Sequence, residues 1–271
     1  MVITDLDGTF LQIGGAISAA NLATLEELGR RRILRVIATG RSLYSAYHVL
    51  PQAFPLDYLI FSSGAGILDW STQSLLVAHH LTRAEIAVAL DLLLNEEIDF
   101  MMHQPIPDNH YFWYYATGRE NPDFVRRCQR YQPFATPFDS GSANVQQACQ
   151  FVAIDPNPGA QSKYERLRQQ LNALKVIRST SPIDSISTWI EIFPTSVSKA
   201  LASAWLAQQH HIQRVRVLAL GNDYNDLDLL QWAGSSFVVA NAPSDLQQRY
   251  RSVRSNNEDG FTEAVKIWIT S

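Results

Sequence analysis

The sequence predicts an α/β protein in which a parallel sheet is interrupted by an inserted α+β unit. Short apolar runs alternate with helical patterns over the first third of the chain. From about Thr82 to Ile186 the rhythm changes, with strands following strands, and after Pro194 the first rhythm resumes. Strand–helix–strand order argues for parallel pairing with right-handed crossovers. A pattern that stops and resumes argues for one domain interrupted by another, with boundaries at 1–81 and 187–271 for the first and 82–186 for the insert.

"MVIT" is a short strand, and "SAANLATLEELGRRR" follows as a helix with Leu22, Leu25 and Leu28 on one face and Ser18 as N-cap. "ILRVIAT" and "DYLIFSS" are buried strands separated by the helix "SLYSAYHVL", and "GAGILDWSTQSLLVAHHL" reads as glycine turns with a short antiparallel excursion. In the insert, "RAEIAVALDLLLNEE" places Ile86, Leu90, Leu93 and Leu94 at helical spacing. The strands "IDFMMHQ" and "NHYFWYYAT", the basic helix "NPDFVRRCQRY", a loop rich in Pro, Ser and Gly, and the strand "ACQFVAI" come next. The helix "SKYERLRQQLNAL", with Tyr164, Leu167 and Leu171 inward, and the strands "KVIRST" and "ISTWIEIFP" complete an antiparallel α+β layer. A helix from Ser196, the strand "VRVLAL", the loop "GNDYND", a helix, the strand "SFVVA" and a last helix ending near Ile269 close the chain.

Of 271 residues, 46% are hydrophobic and 18% charged, the composition of an ordinary globular protein. A net charge of −4 offers no broad attraction to nucleic acid or to anionic membranes. The clusters Arg30 to Arg32 and Arg126, Arg127, Arg130 read as solvated helix faces. Cys128 and Cys149 are too few for a disulfide framework and lack metal-ligand spacing. No apolar run reaches membrane-spanning length, and the expectation is a cytoplasmic protein without a signal peptide.

Ligands of parallel α/β sheets bind outside the carboxyl ends of the strands. Four polar clusters fall there: "DLDGT" after the first strand, "ATGRS" with Thr39, Gly40 and Arg41 after the second, Lys199 near a helix start, and "GNDYND" at 221–226. Asp5 and Asp7 repel one another, and burying either alone is costly. A hard cation offsets that cost, and Mg²⁺ takes few protein oxygens alongside water and phosphate. Phosphate asks for N–H groups at a helix start, a hydroxyl and a positive charge. With the metal, Asp5 can act as nucleophile and Asp7 as proton donor to the leaving oxygen. A calcium loop is excluded, because its sixth and twelfth positions would be Phe10 and Ala16 rather than Gly and Glu. Each cluster alone reads as a turn, cap or surface residue; four at successive strand ends read as a site.

"DLDGT", "ATGRS", the lysine of "PTSVSKA" and "GNDYNDLDLL" together resemble the four motifs of haloacid dehalogenase (HAD) superfamily phosphatases, most closely the Cof-type (HAD-IIB) sugar-phosphatase group. "VVANAPSDLQQ" with Asn241 and Ala242, "SNNEDGFTEAV" and "FSSGAGI" resemble further segments of that group, the last with Ser63 where Asn is usual. The resemblance implies a Rossmann-like core with the insert as an α/β cap for substrate specificity. Asp5 would be the nucleophile and Asp7 the general acid and base, with Asp5, the Asp7 carbonyl and residue 222 holding Mg²⁺. Leu6, Thr39, Gly40, Lys199 and Asn225 would contact phosphate, with Asp226 and Arg41 behind them. Residue 222 is Asn where the group has Asp, which keeps a hard ligand but removes a charge.

The implied function is Mg²⁺-dependent hydrolysis of a small phosphorylated metabolite, a sugar phosphate, through an aspartyl-phosphate. Phosphomutase chemistry on the same scaffold and a non-catalytic binding protein are the alternatives; a phosphoacceptor receiver domain would be far shorter. In the insert, His103, Tyr111, Trp113 and Tyr115 either face a ligand or pack the cap's own helices.

Overall fold

The computed structural model describes residues 1–139, 141–157 and 161–270. Ser140, in the Pro-, Ser- and Gly-rich stretch, lies outside them. The chain divides into two compact units, one formed by residues 1–41, 45–77 and 198–271 and the other by 42–44 and 78–197.

The first unit is built on an eight-stranded sheet. From one edge its strands are Arg251–Val253, Ser235–Val239, Leu218–Gly221, Val2–Thr4, Arg35–Ala38, Tyr58–Phe61, Gly66–Asp69 and Ser74–Ala78. The first six are parallel; Gly66–Asp69 turns back antiparallel on Tyr58–Phe61, the excursion the glycine turns predict. Ile3, Val36, Ile60, Ala219 and Val238 make one core layer, closed by Leu206 of the helix Lys199–Gln209 and Leu229 of Leu227–Trp232. Helix Ala19–Arg30 starts at Ser18, whose hydroxyl accepts the Asn21 N–H, and buries Leu25 and Leu28 with Asn21 beside them. The short helix Ser244–Arg249 and the edge strand Arg251–Val253 carry too little periodic signal to be read from sequence. Met1 to Thr4 sits mid-sheet, so both sequence-distant halves of the unit contribute to the carboxyl edge beside it.

The second unit has a six-stranded sheet in the order Leu174–Thr180, Thr188–Pro194, Gln150–Asp155, Asp99–His103, Phe112–Tyr115, Ala135–Pro137, antiparallel except for the last pair. One face packs Phe100, Met102, Phe151, Ala153, Ile190 and Ile192 against Ile86, Leu90 and Leu93 of the helix Arg83–Asn95 and Leu167 of Gln161–Gln170. Thr82 and Glu85 form a reciprocal capping box at the start of the first of these helices. The other face packs Met101, Phe112, Val152 and Trp189 against Phe124 of the helix Pro122–Arg130. Arg127 on that helix departs from the solvated face its sequence suggests. Its guanidinium lies over the Trp189 ring, 4.4 Å from the centroid, and 5.3 Å from that of Tyr131.

Candidate active site

The turn after the first strand carries both acidic residues. The Asp5 N–H donates to Leu220 O across the sheet, and the Leu11 N–H closes a wide turn on Leu6 O at 2.9 Å. Asp7 is extended inside that turn and Gly8 has φ +71°, so the chain folds back sharply in a conformation that strains any residue with a Cβ. A Cβ on Gly8 would lie 2.6 Å from Asn222 Nδ2.

Lys199 joins the two ends of the site. Its side chain has no exposed surface, and Nζ donates to Asp5 Oδ1 at 2.7 Å and to Asp226 Oδ1 at 2.6 Å. The Asp226 Oδ2 atom accepts the backbone N–H groups of Asn222 at 2.9 Å and Asp223 at 3.2 Å, so one carboxylate shapes the 221–226 loop and holds the lysine. Burial alone would depress the lysine, but Asp226 and Asp5 outweigh it and hold its pKa above the ordinary value. Burial raises the Asp5 carboxyl to about 7 against the pull of Lys199, with Asp226 and Asp7 adding to the rise. One ammonium does not balance this many carboxylates.

Asn222 faces the acidic turn. The outer amide atom pointing that way lies 3.0 Å from Thr9 Oγ1, which donates to Asn222 Oδ1, and 3.2 Å from both Asp7 O and Asp5 Oδ2. With oxygen there it meets two further acceptors, Asp7 O and Asp5 Oδ2, which a cation reconciles; with the amide turned by 180°, the orientation the surrounding hydrogen bonds favour, its nitrogen donates to those two and to Thr9 Oγ1. A carboxylate oxygen, a peptide carbonyl and an amide oxygen form a hard-oxygen set suited to Mg²⁺. Among the described residues no group of three or more His, Cys, Asp or Glu is placed to hold a metal.

Arg41 grips the Asp7 carboxylate with two bonds, Nε to Oδ2 and Nη2 to Oδ1, both 2.7 Å, and braces itself on Ser45. Thr39 is buried, and its hydroxyl accepts the Arg41 N–H at 3.1 Å. Leu6 is buried in the acidic turn, while Gly40 and Asn225 are half-buried in the neighbouring loops. Hydrogen bonds thus connect Asp5, Asp226, Lys199 and Asn222, and tie Asp7 to Arg41 and Thr39. For Gly40 and Asn225 proximity rests on the loops that carry them.

Several supporting residues escaped the sequence reading. Thr9 orients Asn222, and the signal was available in the last letter of "DLDGT". The turn of "FSSGAGI", singled out in the sequence with Ser63 but without a role, has φ of +49° at Ser62, +55° at Ser63 and +106° at Gly64. The Ser63 N–H donates to Thr39 O and that of Ser62 to Arg41 O, so a left-handed turn supports the Thr39 loop. In the second unit, Trp113 and Tyr115 pack with Phe100 and the helices. His103 is buried, with Nδ1 2.7 Å from Asn109 O, and burial lowers its pKa to about 3, keeping the ring neutral.

A Rossmann-like core with two acidic residues after its first strand, a buried lysine bridging to a second carboxylate loop and an inserted α+β unit defines a class of phosphoryl-transfer hydrolase. A family model for haloacid dehalogenase-like hydrolases matches residues 2–265, and the chain belongs to that family, as an enzyme of its phosphatase branch. The 5-amino-6-(5-phospho-D-ribitylamino)uracil phosphatase YwtE of Bacillus subtilis is 26% identical over 277 residues, covering 96% of this chain and 94% of that protein. The HMP-PP phosphatase of Escherichia coli O6:H1 is 28% identical over 249 residues, covering 90% and 85%. Among solved structures, the HAD phosphatase BT1666 from Bacteroides thetaiotaomicron shares the fold at a TM-score of 0.79, with 18% identity over 100% of this chain and 95% of that one. The HAD subclass IIB sugar phosphatase BT4131 gives 0.77 at 15% identity over 100% and 99%. No helix among the described residues is long and apolar enough to cross a membrane.

Proposed function

We propose that the protein is a Mg²⁺-dependent phosphatase that hydrolyses a sugar phosphate or a comparably small phosphorylated metabolite through a phosphoryl group carried on Asp5. The observation that carries the reading is the buried Lys199 ammonium shared by Asp5 and Asp226, with the Asn222 amide 3.2 Å from both Asp5 Oδ2 and the Asp7 carbonyl. A Mg²⁺ held by Asp5, the Asp7 carbonyl and Asn222 would neutralise the carboxylates and the phosphate.

The Asp5 carboxylate attacks phosphorus, the bond to the leaving oxygen breaks, and Asp7 gives that oxygen a proton. Arg41 holds both Asp7 oxygens, so at least one of its bonds opens for the transfer. Water then attacks phosphorus, Asp7 takes its proton, and Asp5 returns as carboxylate with inorganic phosphate released. Lys199 offsets charge on Asp5 throughout, and the Thr39 hydroxyl and the loops with Gly40 and Asn225 supply phosphate contacts. The inserted unit, whose sheet runs past the expected end at 186 to Pro194, selects the rest of the substrate. That two relatives bear the names of phosphatases for a ribitylamino-uracil phosphate and for HMP-PP supports a small-metabolite substrate.

The test is phosphate release from para-nitrophenyl phosphate and a panel of sugar phosphates. Turnover is expected to need Mg²⁺, to stop with EDTA, and to be lost in a folded Asp5→Asn variant. A panel of hexose 1-phosphates also shows whether the phosphoryl group goes to water or back to the sugar. Near-normal kcat in Asp5→Asn, or turnover indifferent to chelation, rejects the reading.

A further inference from the structure

The wide turn that carries Asp5 and Asp7 leaves its carbonyls pointing outward, and amides from distant parts of the chain meet three of them. Asn21 Nδ2 donates to Phe10 O at 3.2 Å, Asn256 Nδ2 to Leu11 O at 2.8 Å, and Asn241 Nδ2 to Gly8 O at 2.8 Å. Asn21 and Asn256 are buried, and their bonds read as satisfaction of polar groups inside the fold. Asn241 differs, since it lies at the surface, where Gly8 O could take a hydrogen bond from water instead. Asn241 is itself aimed from behind, its Oδ1 accepting the Asn256 N–H at 3.0 Å.

Gly8 is where such a restraint has leverage. With no side chain and φ +71°, its own conformational preferences hold it weakly. The peptide before it carries the Asp7 carbonyl, 3.2 Å from the Asn222 amide, and Thr9 after it has its hydroxyl 3.0 Å from that same amide. Rotation at Gly8 would move both. The Gly8 carbonyl is the handle between them, and Asn241 is the group that holds it.

We propose that Asn241 is a positioning residue for the cation seat: by holding Gly8 O it keeps the Asp7 carbonyl and the Thr9–Asn222 pair in register with Asp5. This rests on the reading that Asp5, Asp7 O and Asn222 hold a divalent cation. Asn257 provides the contrast. Its Oδ1 accepts the Ile13 N–H at 2.9 Å and its carbonyl accepts from Gln12 Nε2 at 3.2 Å, so it fastens the exposed chain beyond the turn rather than the turn itself.

The experiment titrates the full-length protein with Mn²⁺ in the absence of substrate and follows the free ion by electron paramagnetic resonance. Wild type is compared with Asn241→Ala, Asn241→Ser and Asn257→Ala, with thermal midpoints measured in parallel. Both Asn241 variants should bind Mn²⁺ roughly tenfold or more weakly, the scale seen when groups that orient metal ligands are removed, while Asn257→Ala stays within about twofold. Raising Mg²⁺ should restore phosphatase turnover in the Asn241 variants, which a loss of folded protein would not allow. Unchanged Mn²⁺ affinity in both Asn241 variants overturns the proposal, as does equal weakening in Asn257→Ala. A wild type that binds no Mn²⁺ overturns the cation reading, and the proposal falls with it.

Discussion

The buried network holds two carboxylates, Asp5 and Asp226, on the single ammonium of Lys199, with Asp7 taken separately by Arg41. Asn222 stands where a further carboxylate would add to that excess. Two unit charges about 4 Å apart at an effective dielectric of about 20 interact by roughly 4 kcal/mol before desolvation. A third of that, about 1.4 kcal/mol, is roughly tenfold in affinity. Asn222→Asp should therefore lower the Mg²⁺ concentration for half-maximal turnover by about that factor, with kcat free to move either way because the added charge also repels phosphate. Titrating Mg²⁺ in wild type, Asn222→Asp and Asp226→Asn checks it. An unchanged requirement in the first variant and an abolished one in the second would place the metal on Asp226. At this scale the sequence was informative where chemistry is carried by charge, as at Asp5, Lys199 and Asp226. It gave no role where uncharged amides and hydroxyls act over long separations, as with Asn241, singled out only by resemblance, on Gly8, or Thr9 on Asn222, because Asn and Thr are common in any turn.

Among the elements, the strands and the longer helices were legible from apolar periodicity, and Ser18 announced the start of its helix. The connecting turns were not, because their geometry is set by neighbours. The turn Ser62–Gly64 runs through three left-handed residues, conformations costly for non-glycine residues at about 1–3 kcal/mol each. It persists because the N–H groups of Ser62 and Ser63 are taken by Arg41 O and Thr39 O, and because the helix that begins at Lys199 presses on its far side. A Cβ on Gly64 would lie 2.3 Å from Ser198 O and 3.1 Å from Lys199 N. Gly64→Ala should thus destabilise the protein by several kcal/mol, given clash and positive φ together. It should also cut turnover more than the surviving folded fraction accounts for, since the displaced backbone is that of the Lys199 helix start. Thermal unfolding and kcat per folded molecule test both parts, and a variant with wild-type midpoint and kcat would show that the turn yields without moving the lysine.

Across the whole molecule, the site-bearing unit is discontinuous. Asp5 and Lys199 are 194 residues apart in sequence yet 2.7 Å apart in space, and Val2–Thr4 pairs on one side with residues 218–220. The unit cannot close its sheet until the last third of the chain is made, and such non-local pairing folds slowly. The inserted unit is nearly continuous, with only residues 42–44 drawn from elsewhere. Among the described residues, the core clusters within 81–192 and 101–189 are formed by side chains of this unit. A domain with its own core and a continuous chain is the kind that folds alone. A fragment spanning 78–197 should accordingly give dispersed amide resonances and a cooperative melt. The pieces 1–77 and 198–271, each holding part of one sheet, should remain unfolded separately. Amide dispersion and circular dichroism of the three fragments decide the matter. An unfolded 78–197 fragment would show that the six-stranded sheet, despite its separate core, depends on the unit into which it is inserted.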